Sequence, residues 1–307
     1  MLTAGSGDGP GGLPRSQSGA NPQHLMAALL GDFWLDRDEH LPSASLVDLV
    51  REFDVTTASA RAALSRLLRR GTLVARKGGR NTFYRLSDGA RTRLRETRAA
   101  FAASTAPAPG DWDGTWVVVA FSVSEDRREV RHALRTALRR SGFGPLYDGI
   151  WASPTADPDA LTALLSDLQV DQATILRSSV LHPGQGPGHP AAAWNPAALA
   201  TALHRFTATY EPLLDALAAG TVDPRTALRR RTAIIDDWRD LVADEPLLPA
   251  ALLPPGWPRP HATDVLARAL DGLAPLAEQR FAEVIAREAP HLAPLARAGR
   301  LEVPSQA

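Results

Sequence analysis

Between Asn21 and Ala103 the apolar residues recur at helical spacing in three short stretches and then, past a glycine, in two short runs around a glycine pair. Few folds accept that order. Asn21-Pro22 supplies a cap and a proline at the first helical position, and Leu25, Met26, Leu29, Leu30 and Phe33 mark a first helix ending near Trp34. After the polar break Asp36–His40, Leu46, Val47, Leu49, Val50 and Phe53 mark a second helix beginning at Pro42-Ser43. Asp54-Val55-Thr56-Thr57 is a turn with a hydroxyl cap for a third helix, ASARAALSRLLRR, which stops at Gly71 in the C′ position. Two short helices across a tight turn, the second rich in arginine, have the layout of a helix-turn-helix. Thr72–Arg76 and Asn81–Leu86 read as strands joined by the hairpin tip Lys77-Gly78-Gly79-Arg80, and another helix runs from Ser87 to about Ala103. Three helices followed by a β-hairpin predict a winged helix-turn-helix domain over residues 21–103.

Total charge argues against a nucleic-acid partner, because 34 Lys and Arg stand against 34 Asp and Glu. Divided along the chain, the zero is a cancellation. Residues 51–98 hold thirteen basic and four acidic residues, net +9, and the remainder carries −9. Such segregation suits a DNA-reading module joined to a sensing or assembly module, although a short Arg-rich stretch is equally a solvated surface. What separates the two is where the arginines fall. At about 100° per residue, Ala60, Leu64, Leu67 and Leu68 share one face of the third helix, while Ser59, Ala62, Ser65, Arg66 and Arg69 lie opposite, with Arg70 beside them. The apolar face packs on the first two helices; the other can enter a major groove, where arginine takes guanine edges or phosphates. Candidate DNA-binding residues are therefore Thr57, Ser59, Arg61, Ser65, Arg66, Arg69 and Arg70 from this helix and Lys77 and Arg80 from the hairpin. Arg61, on the flank of the stripe, is suited either to phosphate or to pinning the turn.

The chain has no cysteine, which removes disulfides, thiolate zinc sites and cysteine nucleophiles together. The longest apolar runs, such as Trp116–Phe121, are six residues where a membrane helix needs about twenty, so no membrane partner is expected. Residues 1–20, rich in Gly, Ser and Pro, read as a disordered tail without the apolar core of a signal peptide, and a soluble cytoplasmic protein is the default.

Residues 104–111 form a Pro/Ala linker. Over 112–182 the order is strand (Val117–Val123), helix (Glu125–Arg140), a strand or bent strand pair (Leu146–Ser153), helix (Pro158–Leu168) and strand (Gln172–Val180), which is the order of a ferredoxin-like sandwich. Residues 190–307 read as a mostly helical C-terminal domain, with helices over Trp194–Leu217 and Pro224–Val242, a proline-rich surface segment Pro246–Pro260 anchored by Trp257, and an amphipathic stretch from Thr263 capping the domain or a dimer. The fold class is thus α+β, in three domains.

LMAALLGDFWL, LPSASLVDLVREFDVTTASARAALSRLLRRG, GGRNTFYRLSDGA, WDGTWVVVAFSVSEDRREVRHALRTALRRSGFGPLYDGIWASP and RFTATYEPLL together resemble the PaaX family, repressors of phenylacetate degradation and their relatives. The resemblance spans residues 24 to 260 or so and is most specific from Trp112 to Pro154. It implies a central domain shaped like the CRISPR-associated ferredoxin-like nuclease, a homodimer on a double-stranded operator, and release by an aryl-CoA thioester such as phenylacetyl-CoA. Ser59, Ser65, Arg66 and Arg69 fall in the segment matching the family's recognition helix.

The resemblance also implies where a nuclease would keep a catalytic aspartate, near the end of the first central strand. Phe121-Ser122-Val123 stands there, and Ser122 cannot replace a carboxylate toward divalent cations. Glu125 and Asp126 fit better as first-turn helix acids. A non-enzyme is expected, with no cofactor, no metal and no catalytic residue to name; the alternative is a metal-dependent nucleic-acid-processing enzyme using this domain. A third reading, a protein-docking winged helix, has no need of the net +9. His182 and His189, seven apart in a loop, lack a third ligand. Along Pro224–Val242 arginines precede acids, against the helix dipole. Either Arg229, Arg230 and Arg231, with Tyr210 and Trp238, receive the phosphates of an acyl-CoA effector, or they form salt bridges with the acidic surplus.

Overall fold

The computed structural model describes residues 21–107, 112–179, 190–243 and 248–300. They fall into two compact units. The first comprises the described residues of Met1–Thr105, Ala208–Asp237 and Thr263–Ala307, and the second those of Ala106–Thr207 and Trp238–Ala262. Residues 190–307, read from the sequence as one helical domain, thus contribute to both. The tail 1–20 and His182 and His189 lie outside the described residues.

The first unit opens with α1 (Pro22–Phe33), capped by the Asn21 carboxamide, which accepts from the Gln23 amide. A two-residue strand β1 (Leu41–Pro42) leads into α2 (Ser43–Arg51) and then α3 (Thr57–Arg69). Gly71, at φ 68°, reverses the chain as only glycine does cheaply. Strands β2 (Leu73–Gly78) and β3 (Asn81–Leu86) pair antiparallel from Leu73↔Leu86 to Gly78↔Asn81, and β1 lies along the other side of β3. α4 (Asp88–Ser104) starts from the Ser87 cap.

The apolar faces of α1, α2 and α3 do not close their own core. It is completed by α8 (Pro224–Val242), through Ala227 and Leu228, and by α9 (Arg259–Ala286), through Leu273, Ala277, Phe281, Val284 and Ile285. The Phe33 and Phe281 rings stack at 4.8 Å, and Trp34 lies 6.1 Å from Phe281. The stretch from Thr263 is therefore core, not a cap. α9 begins at Arg259 and is followed by a 3-10 turn, Pro290–Leu295.

In the second unit β4 (Thr115–Phe121) is central: it pairs antiparallel with β6 (Ile150–Ser153) on one side and β7 (Ala173–Ser179) on the other, and β5 (Gly144–Tyr147) pairs with β6. The strand order β5-β6-β4-β7, with α5 (Arg128–Arg140) and α6 (Pro158–Asp167) in the crossovers, is that of a ferredoxin-like sheet. Pleating sorts the residues of β4. Val117 and Val119 meet Leu134 and Leu138 of α5 and Leu161 and Leu165 of α6, whereas Trp116 and Val118 face a smaller cluster with Trp112, Trp194 and Ala152. Gly144 is required there, since a Cβ would come within 2.8 Å of the Ala193 Cβ. α7 (Pro196–Ala218) and α8 and α9 each contribute residues to both units.

Candidate nucleic-acid interface

α3 is fixed at both ends. The Thr56 hydroxyl accepts from the Ser59 amide at 3.2 Å, and Gly71 breaks the helix after the Arg70 cap. Ala60, Ala63, Leu64 and Leu67 are buried, the i, i+3, i+4, i+7 stripe that anchors a helix. Leu68 is not part of it. It is 39% exposed, because it lies about 80° round the helix from Ala60 and about 40° beyond Leu64 at the edge of the stripe, and Ala63 takes the buried place on the other side. Leu68 and Tyr84 instead line an open groove of about 480 Å³ beside α3, together with Thr57, Arg61 and Ser65.

Ser59, Arg61, Ala62, Ser65, Arg66 and Arg69 are all exposed, Thr57 is half-buried, and Arg70 is half-buried at the C-cap. Arg69 donates to the Ser65 hydroxyl at 3.2 Å, one turn back. On the hairpin, Lys77 and Arg80 are exposed around Gly79 at φ 62°, and the Arg76 guanidinium sits 6.0 Å from the centre of the Phe83 ring. Gly78 lets Phe83 fold across the strand: a Cβ would lie 2.9 Å from its ring.

The thirteen basic residues of 51–98 divide by what they touch. On α4, Arg91 pairs with Asp38, while Arg95 and Arg98 share Asp36; elsewhere Arg51 pairs with Asp48 and Arg85 with Asp88. Burial tends to raise the Asp36 pKa, but the hydrogen bond from Arg95 and the charges of Arg98 and Arg95 outweigh it and hold the carboxyl below its ordinary value. Asp38 is likewise held down, by the Arg91 hydrogen bond and charge. Burial, and then the charges of Arg76, Arg85 and Arg91, push His40 below its ordinary value and so disfavour a further cation beside them. By contrast Arg61, Arg66, Arg69, Arg76, Lys77 and Arg80 have no ion-pair partner among the described residues, and neither has Arg93. Asp36 and Asp38 thus engage three of the four arginines of α4, whereas the six cations of α3 and the hairpin have no such acids beside them, so the positive field is strongest there.

Of the residues read as an effector site, Tyr210, Arg229, Arg230 and Arg231 lie in the first unit and Trp238 in the second. Arg231 is buried, with Nε and Nη2 on the two Asp32 carboxylate oxygens at 2.7 and 3.0 Å and further bonds to the Leu270 and Gly299 carbonyls. Arg229 pairs with Asp54 at 2.7 Å, and Arg230 is exposed. The buried Tyr210 hydroxyl donates to Asp237, and burial, followed by that bond, pushes its pKa upward. Trp238 is buried edge-on to Phe206, with Arg259 over its ring. Sequence reasoning did not find Asp32, Asp36, Asp38, Glu52 or Asp54 as partners. Nothing in their local spacing distinguishes them from surface acids.

Three family models match consecutive parts of the chain: PaaX-like protein over residues 21–90, PaaX protein central Cas2-like domain over 109–190, and PaaX-like protein C-terminal domain over 194–283. The chain belongs to the PaaX family. Among PaaX relatives, it is 26% identical over 259 residues to the transcriptional repressor PaaX of Escherichia coli strain K12, covering 82% of this chain and 80% of that one. Among solved structures, it is similar to an uncharacterized protein from Mycobacterium tuberculosis, with a TM-score of 0.55 and 26% identity over 87% of this chain and 97% of that one.

In the Cas2-like domain of this PaaX chain, the Ser122 amide donates to the Gln172 carbonyl at 2.9 Å, just past β4. Glu125 and Asp126 are exposed in a 3-10 turn, Glu125–Arg127, and the Ser124 hydroxyl helps hold Asp126 below its ordinary pKa. Among the described residues no three of His, Asp or Glu gather to hold a metal ion, and no helix is long and apolar enough to cross a membrane.

Proposed function

We propose that this PaaX-family protein is a DNA-binding transcriptional regulator, a repressor, in which residues 21–103 form a winged helix-turn-helix. α3 lies in the major groove and the β2–β3 hairpin tip lies against backbone or minor groove. The observation that carries this reading is the sorting of charge. Three of the four arginines of α4 are paired with Asp36 and Asp38, while Arg61, Arg66 and Arg69 on α3 and Lys77 and Arg80 on the hairpin are exposed and have no ion-pair partner among the described residues. Ser59 and Ala62 keep the middle of the α3 face small enough for close approach to base edges. Thr57, Ser65 and Arg70 complete the contact surface.

The finer reading is a homodimer on an operator near aromatic-acid catabolism genes, released by an aryl-CoA thioester. It rests on the family. Of the effector residues read from the sequence, Arg229 and Arg230 are the proposed receivers of the thioester's phosphates, Arg229 exchanging Asp54 for a phosphate, while Arg231, Tyr210 and Trp238 are buried on Asp32, Asp237 and Phe206. The ferredoxin-like domain then serves assembly and signalling, not catalysis.

The test is a fluorescence-anisotropy titration with a duplex from the chain's own upstream region across a salt series. If Arg61, Arg66, Arg69, Arg76, Lys77 and Arg80 all meet phosphate, the slope of log K against log salt approaches about −5 per protomer. A flat dependence overturns the reading. Adding phenylacetyl-CoA is expected to release the duplex and free phenylacetate is not; retention in both cases removes the aryl-CoA part alone.

A further inference from the structure

The turn between α2 and α3 is gripped from outside its own motif. Glu52, with its side chain 9% exposed, takes the Nε and Nη2 of Arg280 at 3.1 and 2.8 Å, a two-pronged pair, and the Nε of Arg225 at 3.2 Å. Its carbonyl accepts from Arg225 Nη2 at 3.3 Å. Two residues on, the Asp54 carboxylate accepts from the same Arg225 Nη2 at 3.3 Å and pairs with Arg229 at 2.7 Å. Arg225 and Arg229 lie one turn apart on α8, and Arg280 is on α9, where Glu283 helps fix it. Three arginines from two helices distant in sequence therefore converge on Glu52 and Asp54, in the first half of the turn.

Asp54 has φ 61°, in the left-handed region. Aspartate tolerates that region better than most residues, yet the conformation costs free energy and persists only where the surroundings impose it. The turn ends at Thr56, the cap of α3, so whatever fixes Asp54 fixes the direction in which α3 leaves. The apolar stripe of α3 packs it onto the core, but apolar packing is non-directional and leaves the helix free to rock and slide by small amounts. Paired guanidinium–carboxylate bonds are directional.

We propose that Glu52 and Asp54, held by Arg225, Arg229 and Arg280, are positioning residues for DNA reading. They set the angle at which α3 meets base edges without touching DNA themselves. This rests on the DNA-binding function proposed above. Specific contacts need α3 in register to within a fraction of an ångström; non-specific binding needs only its charge.

The test uses the full chain with Glu52→Gln and, separately, Asp54→Gly, titrated with the upstream duplex and with an unrelated duplex at one salt concentration. Both changes remove a negative charge, so long-range electrostatics alone would tighten binding to either duplex. Positioning demands the opposite on the upstream duplex: a loss of about tenfold, the size of one charge-assisted hydrogen bond, with the unrelated duplex bound as well as by wild type or better. Glycine adopts φ near 60° without strain, so Asp54→Gly keeps the turn and serves as the folded variant if Glu52→Gln melts early. Unchanged or tighter binding of the upstream duplex by Asp54→Gly overturns the proposal, and so does an equal loss on both duplexes. Wild type that binds neither duplex refutes the DNA-binding reading itself, a result separable from both.

Discussion

Replacing Arg66 and Arg69 together by alanine is expected to weaken binding of the upstream duplex by about 1–3 kcal/mol for each arginine that reads a base edge, so about thirtyfold or more if both do. Both side chains are exposed on the face of α3 opposite Ala60, Ala63, Leu64 and Leu67, and neither makes an ion pair among the described residues. Arg69 gives up only its exposed bond to Ser65, and alanine is the better helix former, so the melting temperature should not fall. Weaker affinity at constant stability is the signature of a residue that touches the ligand. If the double variant binds the duplex as wild type does at matched salt, α3 is not the reading helix.

Arg231→Ala is expected to do the reverse, costing about 3–5 kcal/mol of folding stability because it strands a mostly buried carboxylate. Asp32, with its side chain 13% exposed, would keep the Gly299 amide as its one side-chain hydrogen-bond partner among the described residues, and the Leu270 and Gly299 carbonyls would each be deprived of a donor. The pair ties α1 to α8 and to the segment after α9, so the destabilisation should appear as a lower denaturant midpoint for the whole first unit. Arg95→Ala is the control. Arg95 and Asp36 are both more than half exposed, and such a pair is worth about 1 kcal/mol or less. Equal effects from the two substitutions would mean that Arg231 is not the internal strut its bonds describe.

Local signals were legible in the sequence and long-range ones were not. The Asn21 cap, the hydroxyl cap of α3 and the Gly71 stop depend on neighbours within a few residues and stand where spacing and residue type put them; the hairpin forms too, but its ladder runs through Lys77 and Gly78, so the tip is Gly79-Arg80 alone, and Ser87 caps α4 instead of being its first residue. The β4 strand followed from its apolar run. Leu68 was misplaced because a helical wheel does not say how wide the buried stripe is; that is set by the packing partner. The stretch from Thr263, most of it in α9, read as an amphipathic cap of the domain or a dimer. An amphipathic stripe does not say what will cover it, and here Phe281, Val284 and Ile285, on one face at i, i+3, i+4, are fully buried in the core of the first unit. Nor could any charge count show that Arg231 meets Asp32, 199 residues away, or that Asp36 and Asp38 pair with Arg91, Arg95 and Arg98 of α4 while Arg61, Arg66 and Arg69 of α3 have no ion-pair partner among the described residues. The net +9 of residues 51–98 is therefore two populations, one committed to folding and one left for a partner.

That division can be probed by affinity cleavage. The chain has no cysteine, so Ala75→Cys places a single thiol on the exposed side of β2 that also carries Lys77, beside the proposed contact surface but outside it, and Glu96→Cys places one on the exposed face of α4. Each is coupled to an iron chelate and bound to the upstream duplex. Strand scission confined to a few base pairs from position 75, with none above background from position 96, is the predicted result. Scission from position 96 and none from position 75, with the duplex still bound, would contradict it.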